Sequence, residues 1–378
     1  MTTRPGRADH SPEVRARVDA FLDGLPVGRN RDLLADMLLS VVDLAEGDTD
    51  RLDMKIASAA LNEMAGAFEI FAPYRNIPKV TIFGSARTQR DDPLYAQTRE
   101  AAAALASKGW MVITGAGPGI MAAGLEGAGR KMSFGINIRL PFEQGANEFI
   151  ANDPKLIEMK YFFTRKLMLM KESDGFIVLP GGFGTLDESF ELLTLVQTGK
   201  AEPCPIVFLE VPGGSYWHSW QDFLKGEVAQ RGLISEDDCN LYRITDDANE
   251  AVDEIIGFYR NYHSRRFVGS TLVVRVRQAP TDDEIAKLND DFADMLTRGR
   301  IERSGPLGPE VSGNDHVDLP RLALSFDQVH HGRFRAFIDA LNGLASAPQH
   351  PPVAATREEA AGGQPMEAEV QDGDGDQL

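Results

Sequence analysis

The chain has 378 residues, with 39 lysines and arginines against 57 aspartates and glutamates, a formal net charge of −18 and 43% hydrophobic residues. This length allows two or three domains with a core that needs no disulfides, and Cys204 and Cys239 alone cannot make a disulfide framework. The acidic balance argues against nucleic acid as a partner, because neutralising a phosphate backbone needs an excess of lysine and arginine.

The two ends of the chain carry little apolar sequence. Met1 to His10 lacks the apolar run of a signal peptide, and no stretch reaches the roughly 18 apolar residues that a membrane helix requires. These features predict a cytoplasmic protein with no membrane partner. Residues 346–378 contain seven acidic residues, one basic residue and no aromatic residue. Because such a segment has little to bury, we expect a disordered acidic tail over 346–378.

Two periodicities follow each other along the chain. Residues 1–75 are predicted to form a helical extension, since apolar residues recur at helical spacing from residue 11 onward. From Lys79, short apolar runs alternate with helix-length segments. The predicted strands are Val80–Phe83, Trp110–Thr114, Phe134–Ile138, Gly175–Leu179 and Ile206–Leu209. The predicted helices are Leu94–Ser107, Ile120–Arg130, Leu186–Gln197 and Trp217–Gln230. This alternation predicts an α/β domain over 76–262 with a doubly wound, mostly parallel sheet.

A smaller α+β region is predicted over 263–345. Its expected elements are strands at Thr271–Val276 and Arg321–Ser325, helices at Asp283–Leu296 and Phe334–Leu344, and a loop at Gly305–Asp318. The neighbouring histidines His330 and His331 would diverge on a helix, so we expect structural or exposed roles for them, and a structural role for His263.

A glycine-rich turn follows the strand predicted at Trp110–Thr114. Gly115 to Gly119 reads GAGPG, and Pro118 suits the first turn of a helix. Free N–H groups at such a helix start carry about +0.5 charge and can bind a phosphate. The turn is not the dinucleotide fingerprint, because Ile120 stands where that pattern has glycine or alanine. A tight strand-to-helix connection without a ligand explains the turn equally well.

A second glycine-rich turn follows Gly175–Leu179. Pro180 to Glu188 reads PGGFGTLDE, so three glycines in four positions would present backbone amides to an anion. In an open parallel sheet, ligands bind beyond the carboxyl ends of the strands, which is where both turns are expected. Thr185 and Glu188 also fit a capping box, in which the acid only accepts a hydrogen bond from the amide of the cap residue. A carboxylate beside a phosphate-binding loop is electrostatically unfavourable, and a capping role alone would rarely justify that cost.

Between the two turns, helical spacing predicts an apolar stripe formed by Met159, Phe163, Leu167 and Met170. Phe162, Phe163 and the methionines of this segment are interpreted as core. Arg165 would lie about 160° from Phe163 at 3.6 residues per turn, with Lys166 flanking the stripe. Arg165 therefore faces either solvent or a cleft, and the residues alone favour a solvated surface arginine.

These motifs together resemble the LOG family of nucleotide phosphoribohydrolases, long mislabelled lysine decarboxylases. Pro180–Glu188 matches the family signature PGGxGTxxE, and Gly115–Met121 resembles its GGGxGxM turn except at Ala116. The resemblance covers roughly half the chain, about Lys79 to Tyr259. Gly84–Arg87 and Arg165-Lys166 are also similar to segments of family members. Leu140–Gln144 and Tyr262–Val268 are similar to segments of the extended bacterial members, among them the nucleotide 5′-monophosphate nucleosidases.

The resemblance implies a Rossmann-like fold and hydrolysis of the N-glycosidic bond of a nucleoside 5′-monophosphate, without metal or other cofactor. It implies a catalytic pair, Arg165 and Glu188. It also implies a set of substrate-binding residues: Ser85, Arg87, Gly117, Gly119, Lys166, Gly182, Gly184 and Thr185. A homodimer or higher homo-oligomer is expected, because family members are usually dimers or larger. A carboxylate could stabilise the oxocarbenium-like sugar, orient water or attack the anomeric carbon, and Glu188 suits all three roles.

Three other functions are alternatives to this hydrolysis. A cytokinin riboside 5′-monophosphate phosphoribohydrolase would differ only in the base accepted, and a nucleotide-binding protein would bind AMP without turnover. A pyridoxal-dependent decarboxylase needs a Schiff-base lysine in a recognisable cofactor setting, which the sequence does not show.

Overall fold

The computed structural model describes residues 10–139 and 145–351. The segment Leu140–Gln144, which carries part of the family resemblance, lies outside the described residues, as does the greater part of the predicted acidic tail. The chain forms two compact units, one ending at Ala65 and the other beginning at Gly66. No helix within the described ranges is both long enough and apolar enough to cross a membrane.

The N-terminal unit is helical, as predicted. Its helices are α1 (Pro12–Leu22), α2 (Arg31–Glu46) and α3 (Arg51–Phe71), the last of which continues into the second unit. Helix α1 starts at Pro12, which suits its first turn, and the Ser11 hydroxyl accepts a hydrogen bond from the amide of Val14 at 3.3 Å.

The second unit contains a seven-stranded parallel sheet in the order β4-β3-β2-β1-β5-β6-β7. The strands are β1 (Lys79–Phe83), β2 (Met111–Thr114), β3 (Ser133–Ile138), β4 (Leu156–Met159), β5 (Gly175–Val178), β6 (Ile206–Leu209) and β7 (Arg243–Thr245). The helices are α4 (Pro93–Ser107), α5 (Ile120–Ala128), α6 (Phe162–Lys171), α7 (Phe183–Gln197), α8 (Tyr216–Phe223) and α9 (Ala248–Gly257). The predicted Rossmann-like α/β fold is confirmed.

The sheet is covered by helices, which explains its apolar strands. Val80 and Ile82 of β1 are fully buried and belong to a core that also contains Leu105 of α4 and Ile255 of α9. Burying each side chain of this kind contributes about 1.5–3 kcal/mol. The chain runs outward from β1 to β4 and then returns to place β5 beside β1. Such a reversal opens a crevice at the carboxyl edge of the sheet.

The prediction missed three elements of this region and misplaced the bounds of two helices. The strands β4 and β7 and the helix α9 were not predicted. The helix expected over Leu186–Gln197 begins three residues earlier, at Phe183. The helix expected over Trp217–Gln230 is α-helical only to Phe223 and continues as a π-helix over Leu224–Ala229.

A second, antiparallel sheet of four strands lies in the C-terminal part of the same unit, in the order β10-β11-β9-β8. Its elements are β8 (Tyr262–Val268), β9 (Thr271–Val276), α10 (Asp282–Asp291), β10 (Leu296–Ser304), α11 (Gly308–Gly313), β11 (Arg321–Phe326) and α12 (His331–Asn342). The α+β prediction is therefore confirmed. It missed β8 and β10 and placed a loop where α11 forms.

The histidines of this region diverge, as expected. The exposed His330 pairs with Asp327, whereas His331 is buried with its ring centroid 5.2 Å from that of Phe326. His263 packs against His316, and burial lowers the pKa of His263 to about 3. Each of these contacts lies within the second sheet and its helices, away from the carboxyl edge of the parallel sheet.

Candidate functional site

A cavity of about 750 Å³ lies at the carboxyl edge of the parallel sheet, where both glycine-rich turns were predicted. The elements that line it are the segment after β1, the turn after β2, the end of β3, the start of α6 and the turn between β5 and α7. The lining residues central to the site are Ser85, Arg87, Gly115, Gly117, Asn137, Phe162, Arg165, Gly182, Gly184, Thr185 and Glu188.

The turn after β5 forms the first turn of α7. Gly182 is the N-cap, and the first helical hydrogen bond runs from the amide of Leu186 to the carbonyl of Gly182 at 3.1 Å. The preceding amides have no acceptor within the helix, so this end presents partial positive charge to the cavity. Gly181 must be glycine here, since a Cβ at that position would lie 2.2 Å from Thr185 Oγ1. The arrangement suits a phosphate.

The capping-box interpretation of Thr185 and Glu188 is wrong. Because α7 begins at Phe183, Thr185 and Glu188 already lie inside the helix, and no side chain caps it. The side chain of Glu188 is instead 14% exposed and lines the cavity. The carboxyl is thus available to a bound ligand.

The buried face of α6 differs from the predicted stripe. Met159 ends β4, Phe163 is 52% exposed and Phe162 is 54% exposed, whereas Arg165 is buried. The predicted separation places Phe163 and Arg165 on opposite sides of the helix, as observed, but the buried side is that of Arg165. The interpretation of Phe162 and Phe163 as core is therefore wrong. Arg165 tolerates burial because its Nε donates a hydrogen bond to the carbonyl of Ile136 at 2.8 Å. The solvated-arginine interpretation is therefore wrong, although Met159 and Met168 are core, as predicted.

Arg165 and Glu188 form an ion pair at the wall of the cavity. Arg165 Nη1 lies 3.6 Å from Glu188 Oε1. Gly115 makes room for the guanidinium, since a Cβ on Gly115 would lie 1.9 Å from Arg165 Nη2. The first glycine-rich turn therefore has a steric function in addition to any contact with a ligand.

Burial raises the pKa of Glu188 to about 7. The cations of Arg165 and Lys166 oppose this rise in the pKa, whereas the carboxylates of Asp187 and Glu191 add to it. Near neutral pH the group therefore exchanges between acid and carboxylate. A perturbed carboxyl beside an arginine in a cleft is typical of a functional site.

Two predicted site residues are not among the described residues that line the cavity. Lys166 pairs with Asp187 at 3.1 Å and with Glu191 on the neighbouring helix. Gly119 has φ of 67°, and a Cβ there would lie 2.3 Å from the carbonyl oxygen of Ser85. Gly119 therefore packs the two loops together. The other eight predicted residues line the cavity.

Asn137 and Phe162 also line the cavity, although neither was predicted as a site residue. Asn137 is a polar residue near the end of an apolar strand, at the edge of the sheet where ligands bind. This position in the sequence could have identified it as a site residue. Across residues 10–139 and 145–351, no three side chains of histidine, cysteine, aspartate or glutamate are placed to hold a metal ion.

Comparison with known proteins identifies the family. A family model described as possible lysine decarboxylase matches residues 115–255. A cytokinin riboside 5′-monophosphate phosphoribohydrolase of Mycobacterium tuberculosis is 30% identical over 155 residues, which are 40% of this chain and 80% of that protein. The chain belongs to the LOG family. This confirms the resemblance found in the sequence motifs.

Other LOG-family relatives match over shorter segments. The probable cytokinin riboside 5′-monophosphate phosphoribohydrolase LOGL3 of Oryza sativa subsp. japonica is 35% identical over 101 residues, covering 27% of this chain and 46% of the rice protein. The chain thus spans less than half the length of this relative. A molybdenum cofactor carrier protein from Chlamydomonas reinhardtii is 18% identical, covers 47% of this chain and 94% of its own, and has a TM-score of 0.33. That likeness carries no argument about function.

This LOG-family chain has alanine at the middle position of the first turn. Ala116 adopts φ of 60°, a region in which glycine is less strained, and its methyl group is completely buried. The burial of a methyl group, worth about 0.8 kcal/mol, offsets much of the strain.

Proposed function

We propose that the protein hydrolyses the N-glycosidic bond of nucleoside 5′-monophosphates and releases a free base and ribose 5-phosphate. The observation that carries this proposal is the buried carboxyl of Glu188, 3.6 Å from Arg165 and in the same cavity as the N-terminal turn of α7. Membership of the LOG family supports it. In this proposal Arg165 and Glu188 act on the sugar.

The phosphate would bind at Gly182, Gly184 and Thr185, with Gly117 facing it from the other turn. Binding energy at this remote group would align the ribose over Glu188. Breakage of the glycosidic bond leaves positive charge on the sugar, which the carboxylate form of Glu188 stabilises. The guanidinium of Arg165, fixed by the Ile136 carbonyl, would donate to oxygen atoms of the substrate.

The roles proposed for the other four predicted residues are based on where the structure places them. Ser85 and Arg87 line the cavity beside the turns and are proposed to contact the nucleotide. Lys166 and Gly119 are proposed to support the site indirectly, Lys166 by orienting α7 and Gly119 by joining the two loops.

The test is separation of products after incubation with AMP, GMP, CMP, UMP and N6-prenylated AMP. Glu188→Gln should reduce base release at least about a hundredfold, the scale on which positioned acids and bases contribute. Glu100→Gln is the matched control, because Glu100 is exposed on α4 and is not among the described residues of the cavity. Base release by Glu188→Gln at the wild-type rate would overturn the assignment. AMP that binds but returns intact would instead indicate a nucleotide-binding protein without turnover.

A second candidate substrate is a cytokinin riboside 5′-monophosphate. The names of the Mycobacterium and rice relatives favour it. The same experiment decides between the two, because a cytokinin-activating enzyme should release the N6-prenylated base at least tenfold faster than adenine.

The division of the chain and its assembly belong to the same proposal. We propose a catalytic domain over 76–262, an accessory domain over 263–345, and a homodimer or larger homo-oligomer. Light scattering measures the mass in solution, and a monomer at assay concentrations would contradict the oligomer.

A further inference from the structure

The cavity extends along the sheet edge across four neighbouring strands. The turn proposed to bind the phosphate, here called the phosphate turn (residues 181–185), follows β5. The lining then continues through the ends of β1 and β2 to Asn137 and Ile138 at the end of β3. Three strand spacings separate β5 from β3, about 14 Å at 4.8 Å each. If the phosphate lies at the β5 end, as the proposed function requires, the base must lie further along this edge, toward β3.

Phe162 supplies an aromatic surface at that end. It is the first residue of α6, a helix that packs against β3, and it lies three positions before Arg165 on the same side of that helix. The Phe162 ring lines the cavity yet is 54% exposed. An exposed aromatic ring in a ligand cavity offers stacking to any base, since every base has a π-face. Phe183 also lines the cavity but belongs to the phosphate turn.

Asn137 supplies a polar group to the same cavity, at the end of β3. Its side chain is half-buried, at the penultimate position of β3, between the buried Ile136 and Ile138. An amide both donates and accepts hydrogen bonds, as does the edge of a nucleobase. We infer that the base of the nucleotide stacks on Phe162 with its edge at Asn137, so that these two residues set base preference. This inference rests on the proposed function.

The experiment compares a ligand with a base and one without. Phe162→Ala should raise KM for AMP about tenfold, the scale of one lost stacking contact, while inhibition by ribose 5-phosphate changes less than twofold. Phe163→Ala is the matched control, because Phe163 is equally exposed at 52% but is not among the described residues of the cavity. Asn137→Ala should change the ratio of kcat/KM for AMP over GMP at least fivefold, again with ribose 5-phosphate inhibition unchanged.

The outcomes separate this inference from the proposed function. If Phe162→Ala weakens the binding of AMP and of ribose 5-phosphate equally, or changes neither, the base subsite is overturned. Base release by the wild type would still support the proposed hydrolysis in either case. Absence of base release by the wild type would overturn the proposed hydrolysis instead. Calorimetric titration with AMP and ribose 5-phosphate would then test the subsite alone, and an AMP affinity insensitive to Phe162→Ala would refute it.

Discussion

The carboxyl of Glu188 is buried in a position where its ionised form lowers the stability of the folded protein. Its pKa of about 7 in the folded protein lies above the ordinary value of 4.5, and burial is the main cause. The carboxylate form is therefore destabilised by its surroundings, and the Arg165 cation offsets only part of the loss of water. Such a group changes both activity and stability across the neutral pH range.

The activity should follow the ionisation of Glu188. If the carboxylate is the active form, kcat/KM should rise about tenfold per pH unit below pH 7 and level off above it, since this parameter reports the free enzyme. Rate measurements from pH 5.5 to 8.5 check this. A profile that falls as pH rises through 7 would show that the protonated acid is required.

Stability should change in the opposite sense. A raised pKa means that the protonated carboxyl stabilises the fold fully below pH 4.5 and that this contribution is lost as pH rises through about 7. Glu188→Gln cannot ionise, so its stability relative to wild type should improve by about 2 kcal/mol between pH 5.5 and 8.5. Denaturant unfolding at both pH values measures this difference. A difference that does not change with pH would contradict this expectation.

Gly115 illustrates how one residue positions another. A methyl group there would overlap the Arg165 guanidinium, so Gly115→Ala should displace it and lower kcat/KM about a hundredfold, the cost of an ångström-scale misplacement. Loss of the nearby cation should also move the acidic limb of the pH profile upward, an effect that general loosening of the fold would not produce. Gly257→Ala, with open space around its Cβ, should leave both readouts unchanged.

At the scale of elements, the reliability of prediction follows burial. The central strands β1, β2, β5 and β6 are mostly apolar because both of their faces are covered, and all were predicted. The missed strands β4 and β7 are the two edges of the sheet. Edge strands have one neighbour, so they tolerate polar residues such as Glu158 and Arg243, and their sequences lack a clear strand pattern.

The candidate site shows the same division between local and long-range information. The glycine-rich turns could be placed at the carboxyl edge because each directly follows a predicted strand. Glu188, by contrast, was selected through the family signature, and its local spacing fitted a capping box that does not form. The burial of Arg165 could not be predicted, since it depends on the Ile136 carbonyl and on the space left by Gly115, both distant in sequence. Helical periodicity alone therefore placed this residue on the wrong surface.

At the scale of the whole molecule, the described part of the second unit joins two sheets through buried polar contacts. The Asn342 side chain accepts hydrogen bonds from the amides of Asn261 and Tyr262, at 2.8 and 3.0 Å, and donates one to the Phe258 carbonyl at 2.6 Å. Arg335 of α12 also pairs with Glu254 of α9. Asn342 at the end of α12 thus satisfies the carbonyl at the C-cap of α9 and two amides at the start of β8.

Asn342→Leu should therefore destabilise the second unit without altering the cavity. The substitution leaves three buried backbone groups without their partner, and each such loss costs about 1–3 kcal/mol, so we expect the free energy of unfolding to fall by about 3 kcal/mol or more. Denaturant unfolding gives this value, and base release below the transition should match wild type because the cavity lies at another edge. Asn249→Leu, at an exposed position of α9, is the control. Equal stability of the two variants would show that this junction contributes little to the fold.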